Sequence, residues 1–166
     1  FDAEIARLEK SPPSEIVRWA LETYGPTTAV AFSGAEDVAV IDMAFKTGLD
    51  FEIFTLDTGR LHPETLRFID NVRVHYGLPI QVMSPDADEL QAFVTERGLF
   101  SFFEEGHEPC CAIRKVAPLR RALAGRPAWL TGQRRDQNPA TRTSLPAGLT
   151  EITFTPDGKI LEQKTK

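Results

Sequence analysis

The sequence has no apolar run long enough to span a membrane, and its first residues lack the layout of a signal peptide. It has only two cysteines. Because Cys110 and Cys111 are neighbours, a disulfide between them would be strained and would close no loop, so there is no disulfide framework. The formal net charge of −5 argues against a general nucleic-acid binder. We therefore expect a cytoplasmic protein with neither a membrane nor a nucleic acid as partner.

Two common phosphate-binding signatures are also missing. The chain contains neither the G-x-x-x-x-G-K-[ST] loop nor the G-x-G-x-x-G dinucleotide fingerprint. Its 166 residues, of which 42% are hydrophobic, are enough for one domain with a real core. We expect residues 1–166 to form a single domain. The chain begins with Phe1 in place of a start methionine, so we also expect it to be trimmed.

The chain is organised around Thr28–Met43, an apolar run that breaks at Ser33-Gly34 and resumes with helical periodicity. This pattern predicts a strand, a tight loop and a helix. The first turn of such a helix presents unpaired N–H groups and the positive end of the helix dipole, which suit a phosphate or sulfate. The alternative is an ordinary turn whose acids are favoured by the dipole. The candidate residues of this loop are Ser33, Gly34, Ala35, Glu36 and Asp37.

Strand and helix patterns alternate along the rest of the chain. Further strands are predicted at 51–56, 79–83 and 128–131, and helices at 1–9, 14–24, 62–76, 88–97 and 110–124. Ser14 is predicted to be an N-cap, the aromatic run 99–103 to cap the core or line a groove, and 156–158 to be a hairpin turn. The alternation predicts an α/β fold, a Rossmann-like parallel sheet with helices on both faces.

In such sheets, ligands bind outside the carboxyl ends of the strands. Three predicted loops leave those ends with polar residues, at 33–37, 57–60 and 132–142. Their convergence favours an anion site at that edge. Taken alone, the second loop is also consistent with a plain turn held by an Asx or hydroxyl hydrogen bond. Its candidate residues are Asp57, Thr58, Gly59 and Arg60.

Positive charge is concentrated in one segment of this acidic protein. Residues 110–142 contain eight basic residues and one acidic residue. Such a segment provides a field suited to an anionic ligand. A solvated helix face explains Arg120, Arg121 and Arg126 better than ligand binding does. The forked donors of an arginine-rich loop at a strand's carboxyl end suit phosphate and sulfate, and the candidates there are Arg134, Arg135 and Arg142.

The cysteine pair follows Pro109, a residue that suits a helix start. Both thiols are therefore predicted to lie in a first turn, where the helix dipole lowers thiol pKa values. Arg114 and Lys115 follow the two cysteines by four residues each, so each shares a helix face with one sulfur. Three interpretations stay open: ordinary buried cysteines, a reactive thiolate, and half of a metal site.

Four sequence segments occur in the same order as in a known protein family. They are Ser33-Gly34-Ala35-Glu36-Asp37-Val38, Leu56-Asp57-Thr58-Gly59-Arg60-Leu61-His62-Pro63-Glu64-Thr65, Cys110-Cys111-Ala112-Ile113-Arg114-Lys115 and Thr131-Gly132-Gln133-Arg134-Arg135-Asp136-Gln137. In this order they resemble the assimilatory sulfonucleotide reductases, most closely the thioredoxin-dependent adenylyl-sulfate (APS) reductase branch. The resemblance covers nearly everything from Thr28 to Arg142. It implies a nucleotide-binding fold like that of the adenine nucleotide alpha hydrolases.

The resemblance also implies roles for individual residues. Residues 33–37 would form a modified nucleotide-binding loop, Leu56 and Gly132 would contact adenosine, and Lys115 and Arg142 would contact the phosphosulfate. Cys110 and Cys111 would be two of four ligands to a 4Fe-4S cluster. Family members that use the 3′-phosphorylated substrate generally lack this cysteine pair, so its presence favours adenylyl sulfate itself over 3′-phosphoadenylyl sulfate.

The implied activity is reduction of adenylyl sulfate to sulfite and AMP by a homo-oligomeric enzyme, with thioredoxin as the reductant. The family's second cysteine pair, a C-x-x-C, and its nucleophile, in E-C-G-L-H, have no counterpart before Lys166. We therefore expect the catalytic segment to be absent from residues 1–166, and Lys115 to act electrostatically. Two alternatives are an ATP-using adenylating enzyme of the same fold and a module that binds a nucleotide without chemistry.

Overall fold

The computed structural model describes residues 2–104 and 106–133, together with the backbone of two short strands at 151–154 and 160–164. Four strands form a parallel sheet in the order β3-β2-β1-β4, and the last two strands pair with each other antiparallel. The strands are β1 (Ala29–Ala31), β2 (Glu52–Leu56), β3 (Ile80–Met83), β4 (Trp129–Leu130), β5 (Glu151–Phe154) and β6 (Ile160–Lys164).

The α-helices follow the predicted pattern closely. They are α1 (Asp2–Leu8), α2 (Pro13–Tyr24), α3 (Val38–Thr47), α4 (Pro63–Tyr76), α5 (Ala87–Arg97), α6 (Ser101–Glu104), α7 (Glu108–Cys111) and α8 (Ala117–Leu123). The prediction of Ser14 as an N-cap is wrong. Pro12 occupies the cap position and Pro13 begins the helix, because a proline at the first helical position needs no N–H partner.

The core consists of two hydrophobic clusters, one on each face of the sheet. Side chains of a strand alternate between the faces, so Val30 and Ile53 lie on one side and Phe54 on the other. Helices α2, α3 and α4 pack over the first face, and α8 packs over the second. The predicted α/β fold, with helices on both faces of a parallel sheet, is confirmed.

The helix predicted at 110–124 is observed as three consecutive helical segments. After α7, the turn at Ala112–Val116 is a π-helix, and α8 continues the chain to Leu123. A π-turn inside a helix is rare and is often found at functional sites. Here it directly follows the cysteine pair.

The aromatic run at 99–103 does not cap the core. Phe100 is 66% exposed and Phe103 is 74% exposed, although Ser101 between them is buried. The turn predicted at 156–158 lies outside the described residues, and the strands on either side of it pair antiparallel. In the described part of the chain, no helix is both long and apolar enough to cross a bilayer.

Candidate functional site

The three loops predicted to hold a ligand leave the sheet at one edge. Strand β1 pairs in parallel with β2 on one side and with β4 on the other. The chain leaves β1 at Phe32, β2 at Asp57 and β4 at Thr131. Since parallel strands end at the same edge, the loops at 33–37, 57–60 and 131–133 are neighbours there.

The loop after β1 has its donors occupied by its own acid. The buried Asp37 ends a 3₁₀ turn, and its Oδ2 accepts hydrogen bonds from Ser33 N (2.7 Å), Ser33 Oγ (2.7 Å) and Gly34 N (3.1 Å). These three donors precede the first helical turn, whose N–H groups the sequence analysis offered to a phosphate. In this structure a carboxylate takes the place of the anion, so Asp37 organises the loop from within. Ala35 and Glu36 lie at its exposed surface.

Gly132 brings the loop after β4 against the same carboxylate. A Cβ atom at this position would lie 2.0 Å from Asp37 Oδ1 and 3.2 Å from its Cγ. Two non-bonded heavy atoms cannot approach so closely, so only glycine fits here. The loops after β1 and β4 are therefore in direct contact, as the prediction that they converge requires.

The loop after β2 is a turn held by its own side chains. Asp57 Oδ1 accepts from Gly59 N at 2.8 Å, and Thr58 Oγ1 accepts from Arg60 N at 3.2 Å. The Arg60 guanidinium donates to the carbonyl of Leu99, which links this loop to the chain before α6. The geometry matches the turn that the sequence allowed as an alternative. Any ligand contact from this loop would use groups that these bonds leave open.

Arg114 was missed as a site residue by the sequence analysis. Its side chain is 94% buried, its Nη1 donates to Thr58 O at 2.7 Å, and its Nε has no partner. Nη1 also lies 3.3 Å from where a Cβ on Gly59 would be. Among the described residues, no carboxylate forms an ion pair with it. The only sequence signal was its spacing from Cys110, which predicted a shared helix face but not burial against the second loop.

The cysteine pair lies where the sequence predicts it, in the first turn of a helix. Cys110 is buried, Cys111 is half-buried, and both thiols are free. Cys111 Sγ is 4.0 Å from Nδ1 of His107, the residue that precedes the helix. Lys115, in the π-turn, is exposed. Arg114 connects this helix to the loop after β2, so the thiols are joined to the same edge of the sheet.

Comparison with known proteins identifies the family. Residues 27–156 match the phosphoadenosine phosphosulfate reductase domain. The chain belongs to this family. The matched span includes all three sheet-edge loops and the cysteine pair.

Similar proteins of this family carry more specific names. The chain is 56% identical over 146 residues to 5′-adenylylsulfate reductase 1, chloroplastic, of Arabidopsis thaliana, covering 88% of this chain and 31% of that protein. It is 54% identical over 138 residues to adenosine 5′-phosphosulfate reductase of Pseudomonas aeruginosa (strain LESB58), covering 83% and 52%. The chain thus spans about a third to a half of the length of these relatives.

A solved structure of the reductase family has the same fold. The crystal structure of phosphoadenylyl-sulfate reductase from Candida auris, a phosphate complex, superposes with a TM-score of 0.70 at 26% identity. The match covers 87% of this chain and 69% of that one. The α/β architecture expected from the sequence is therefore that of the family.

The donor set of the described residues fits half of an iron–sulfur site. Two adjacent thiols in a dipole-positive helix turn suit iron, which is held by thiolates in such clusters. The buried guanidinium of Arg114, whose Nε is unpartnered, suits an anionic group close to this helix. No group of three or more potential metal ligands occurs within the described ranges. The remaining ligands would have to come from elsewhere.

Several predicted ligand contacts lie beyond what the structure describes. Arg134, Arg135 and Arg142 fall outside the described residues, so their expected binding of phosphate or sulfate, and the contact of Arg142 with phosphosulfate, stay predictions. Leu56, the predicted adenosine contact at the end of β2, is half-buried and packs against the core of the α8 face. The roles assigned to Leu56 and Gly132 likewise stay predictions, although both residues lie at the predicted edge.

Proposed function

We propose that the chain is the nucleotide-binding portion of an enzyme that reduces adenylyl sulfate to sulfite and AMP. The observation that carries this proposal is the link made by Arg114. It joins the helix of the cysteine pair to the loop after β2, at the edge where the loops after β1 and β4 meet. This link supports a single site that combines the proposed nucleotide loops with the thiol-bearing helix.

Substrate choice follows from the cysteine pair and from the relatives. Relatives named 5′-adenylylsulfate reductase or adenosine 5′-phosphosulfate reductase are 46–57% identical to this chain, whereas the similar structure named phosphoadenylyl-sulfate reductase is 26% identical. We therefore favour adenylyl sulfate over its 3′-phosphorylated form. The phosphate complex of that distant relative supports an anion site in this fold.

The proposed reaction is nucleophilic displacement at sulfur. A cysteine thiolate of the whole enzyme attacks the sulfur of adenylyl sulfate, the bond from sulfur to the bridging oxygen breaks, and AMP leaves with the electron pair. A thioredoxin dithiol then reduces the enzyme S-sulfonate and releases sulfite, becoming a disulfide. The leaving phosphate gains negative charge as the bond breaks. The residues of this chain that would stabilise that charge are Lys115 and Arg142.

The same proposal includes a 4Fe-4S cluster in which Cys110 and Cys111 are two of the four ligands. The cluster would supply a metal–sulfide centre that holds both sulfurs as thiolates and adds negative charge beside the basic residues that follow them. A cytoplasmic location and a homo-oligomeric assembly stay predictions of the sequence.

Nucleotide titration of the full-length protein tests the proposal. Adenylyl sulfate and AMP should bind more tightly than ATP with magnesium, and adenylyl sulfate with thioredoxin should give one sulfite for each AMP. Tighter binding of magnesium ATP would favour the ATP-using adenylating enzyme instead. Binding of AMP without any release of sulfite would favour a module that holds the nucleotide without chemistry.

A further inference from the structure

Asp37 connects two loops that are distant in the sequence. Its Oδ2 accepts the three hydrogen bonds from Ser33 and Gly34. Its Oδ1 lies on the other side, facing Gly132. The carboxylate is only 8% exposed, so it is enclosed between the loop after β1 and the loop after β4.

The orientation of this carboxylate is strongly determined. Rotating it away from the loop would leave two backbone N–H groups and a hydroxyl without their acceptor, which is costly in a partly buried site. Gly132 does not have a positive φ, so its backbone does not itself require glycine. The requirement comes from space alone, because Asp37 Oδ1 fills the volume that a side chain would need.

We propose that Asp37 is a positioning residue for the nucleotide: its carboxylate holds the loop after β1 in shape and sets how closely Gly132 approaches it. This inference rests on the proposed function, in which these two loops contact the nucleotide. It assigns to Asp37 a role through Ser33, Gly34 and Gly132, without a bond of its own to the ligand. A shift of either loop would move the contacts that the nucleotide requires.

A double-mutant cycle on AMP affinity tests the proposal in the full-length protein. We expect Asp37→Ala and Gly132→Ala each to weaken AMP binding at least tenfold. In the double variant the losses should not multiply. Once the carboxylate is gone, the nearest remaining atom to a Cβ at position 132 is the Cα of residue 37, at 3.4 Å, which is ordinary contact. The double variant should therefore bind AMP within about threefold of Asp37→Ala.

A conservative variant and a matched control separate positioning from general destabilisation. Asp37→Asn keeps the shape and one acceptor oxygen, so we expect its AMP affinity to be within about threefold of wild type. Asp50→Ala removes an exposed acid from the turn before β2, at the opposite end of the strands, and should leave AMP affinity unchanged. Circular dichroism confirms folding of each variant. Should Asp37→Ala fail to fold, the Asn variant and Gly132→Ala decide the question.

Each outcome is decisive. Full wild-type affinity in Asp37→Ala or in Gly132→Ala would overturn the positioning role, and so would losses that multiply in the double variant. An Asp37→Asn variant that binds AMP as weakly as Asp37→Ala would also overturn it, because the retained acceptor oxygen should restore AMP affinity. A wild-type protein that binds neither AMP nor adenylyl sulfate would instead overturn the proposed function, and this inference with it.

Discussion

Arg114 is the residue whose substitution most directly tests the arrangement of the site. Its guanidinium is 94% buried, donates one hydrogen bond to the Thr58 carbonyl, and has an Nε without a partner. We consider the change Arg114→Met, which keeps an unbranched apolar stem, although a shorter one, while it removes the charge and the donors. This substitution should weaken ligand affinity without lowering the stability of the fold.

Two opposing effects determine how Arg114→Met changes the free energy of unfolding of the protein without bound nucleotide or metal. Loss of a hydrogen bond from a charged donor costs about 1.5–3 kcal/mol. Removal of a buried cation that has no counter-charge among the described residues gains a similar amount or more, since the desolvation penalty of such an ion is several kcal/mol. We therefore expect the free energy of unfolding to stay the same or to rise.

Binding of AMP should weaken in the same variant. In the wild type, a bound phosphate would supply the negative counter-charge that the described residues do not give Arg114. In the variant that interaction is lost, and the loop after β2 also loses its hydrogen bond at Thr58. If the loss equals one charged hydrogen bond, about 1.5–3 kcal/mol, the dissociation constant should rise roughly 10- to 100-fold. Arg114→Lys keeps the charge but not the planar fork, so its affinity should be intermediate.

Urea unfolding and isothermal titration calorimetry measure the two quantities on the same preparations. Arg73→Met is a suitable control, because Arg73 pairs with Asp70 on the exposed surface of α4 and should affect neither measurement by much. A fall of about 3 kcal/mol in the free energy of unfolding with unchanged AMP affinity would refute the reasoning. It would mean that the charge of Arg114 is neutralised within the fold.

Three further substitutions test other parts of the description. In the full-length protein, Cys110→Ser or Cys111→Ser should abolish visible absorbance and bound iron; retained colour would exclude the residue as a ligand. Arg142→Ala should weaken adenylyl sulfate binding about tenfold or more, and unchanged affinity would remove Arg142 from the site. Arg126→Ala should lower the free energy of unfolding by about 2 kcal/mol in urea titrations, because, among the described residues, it leaves the half-buried carboxylate of Glu52 with only the hydrogen bond from Gln81; Glu52→Ala should then add little to it.

The elements of the fold were largely predictable because their signals are local. The helix over 62–76 is observed at Pro63–Tyr76, and the strand over 51–56 at Glu52–Leu56. Each is delimited by residues that act within one turn, such as Pro63 at the helix start and Gly77 at its end. The convergence of the loops also follows from a general property, since parallel strands share one carboxyl edge.

Side-chain partners were much less predictable. The first-turn acid Asp37 was expected either to bind ligand or to sit near a dipole, and it instead occupies the donors of its own loop. Arg114 was expected on a helix face, and the π-turn leaves it buried against Thr58. The Asp37 bonds are local but depend on the exact geometry of the turn, and the burial of Arg114 depends on how two distant segments meet. Periodicity along one segment contains information about neither.

The two buried charges explain how separate sequence segments become one site. Asp37 fixes the loop after β1 and meets the loop after β4 at Gly132, while Arg114 fixes the loop after β2 to the helix of the cysteines. Asp37 thus links the loops after β1 and β4, and Arg114 links the loop after β2 to the cysteine helix. Because β1 lies between β2 and β4 in the sheet, these two links are neighbours. Because Asp37 is hydrogen-bonded within the fold and Arg114 has no anionic partner among the described residues, the site favours an anion on the Arg114 side. Under the proposed function, the phosphosulfate of the substrate is the anionic group that this arrangement suits.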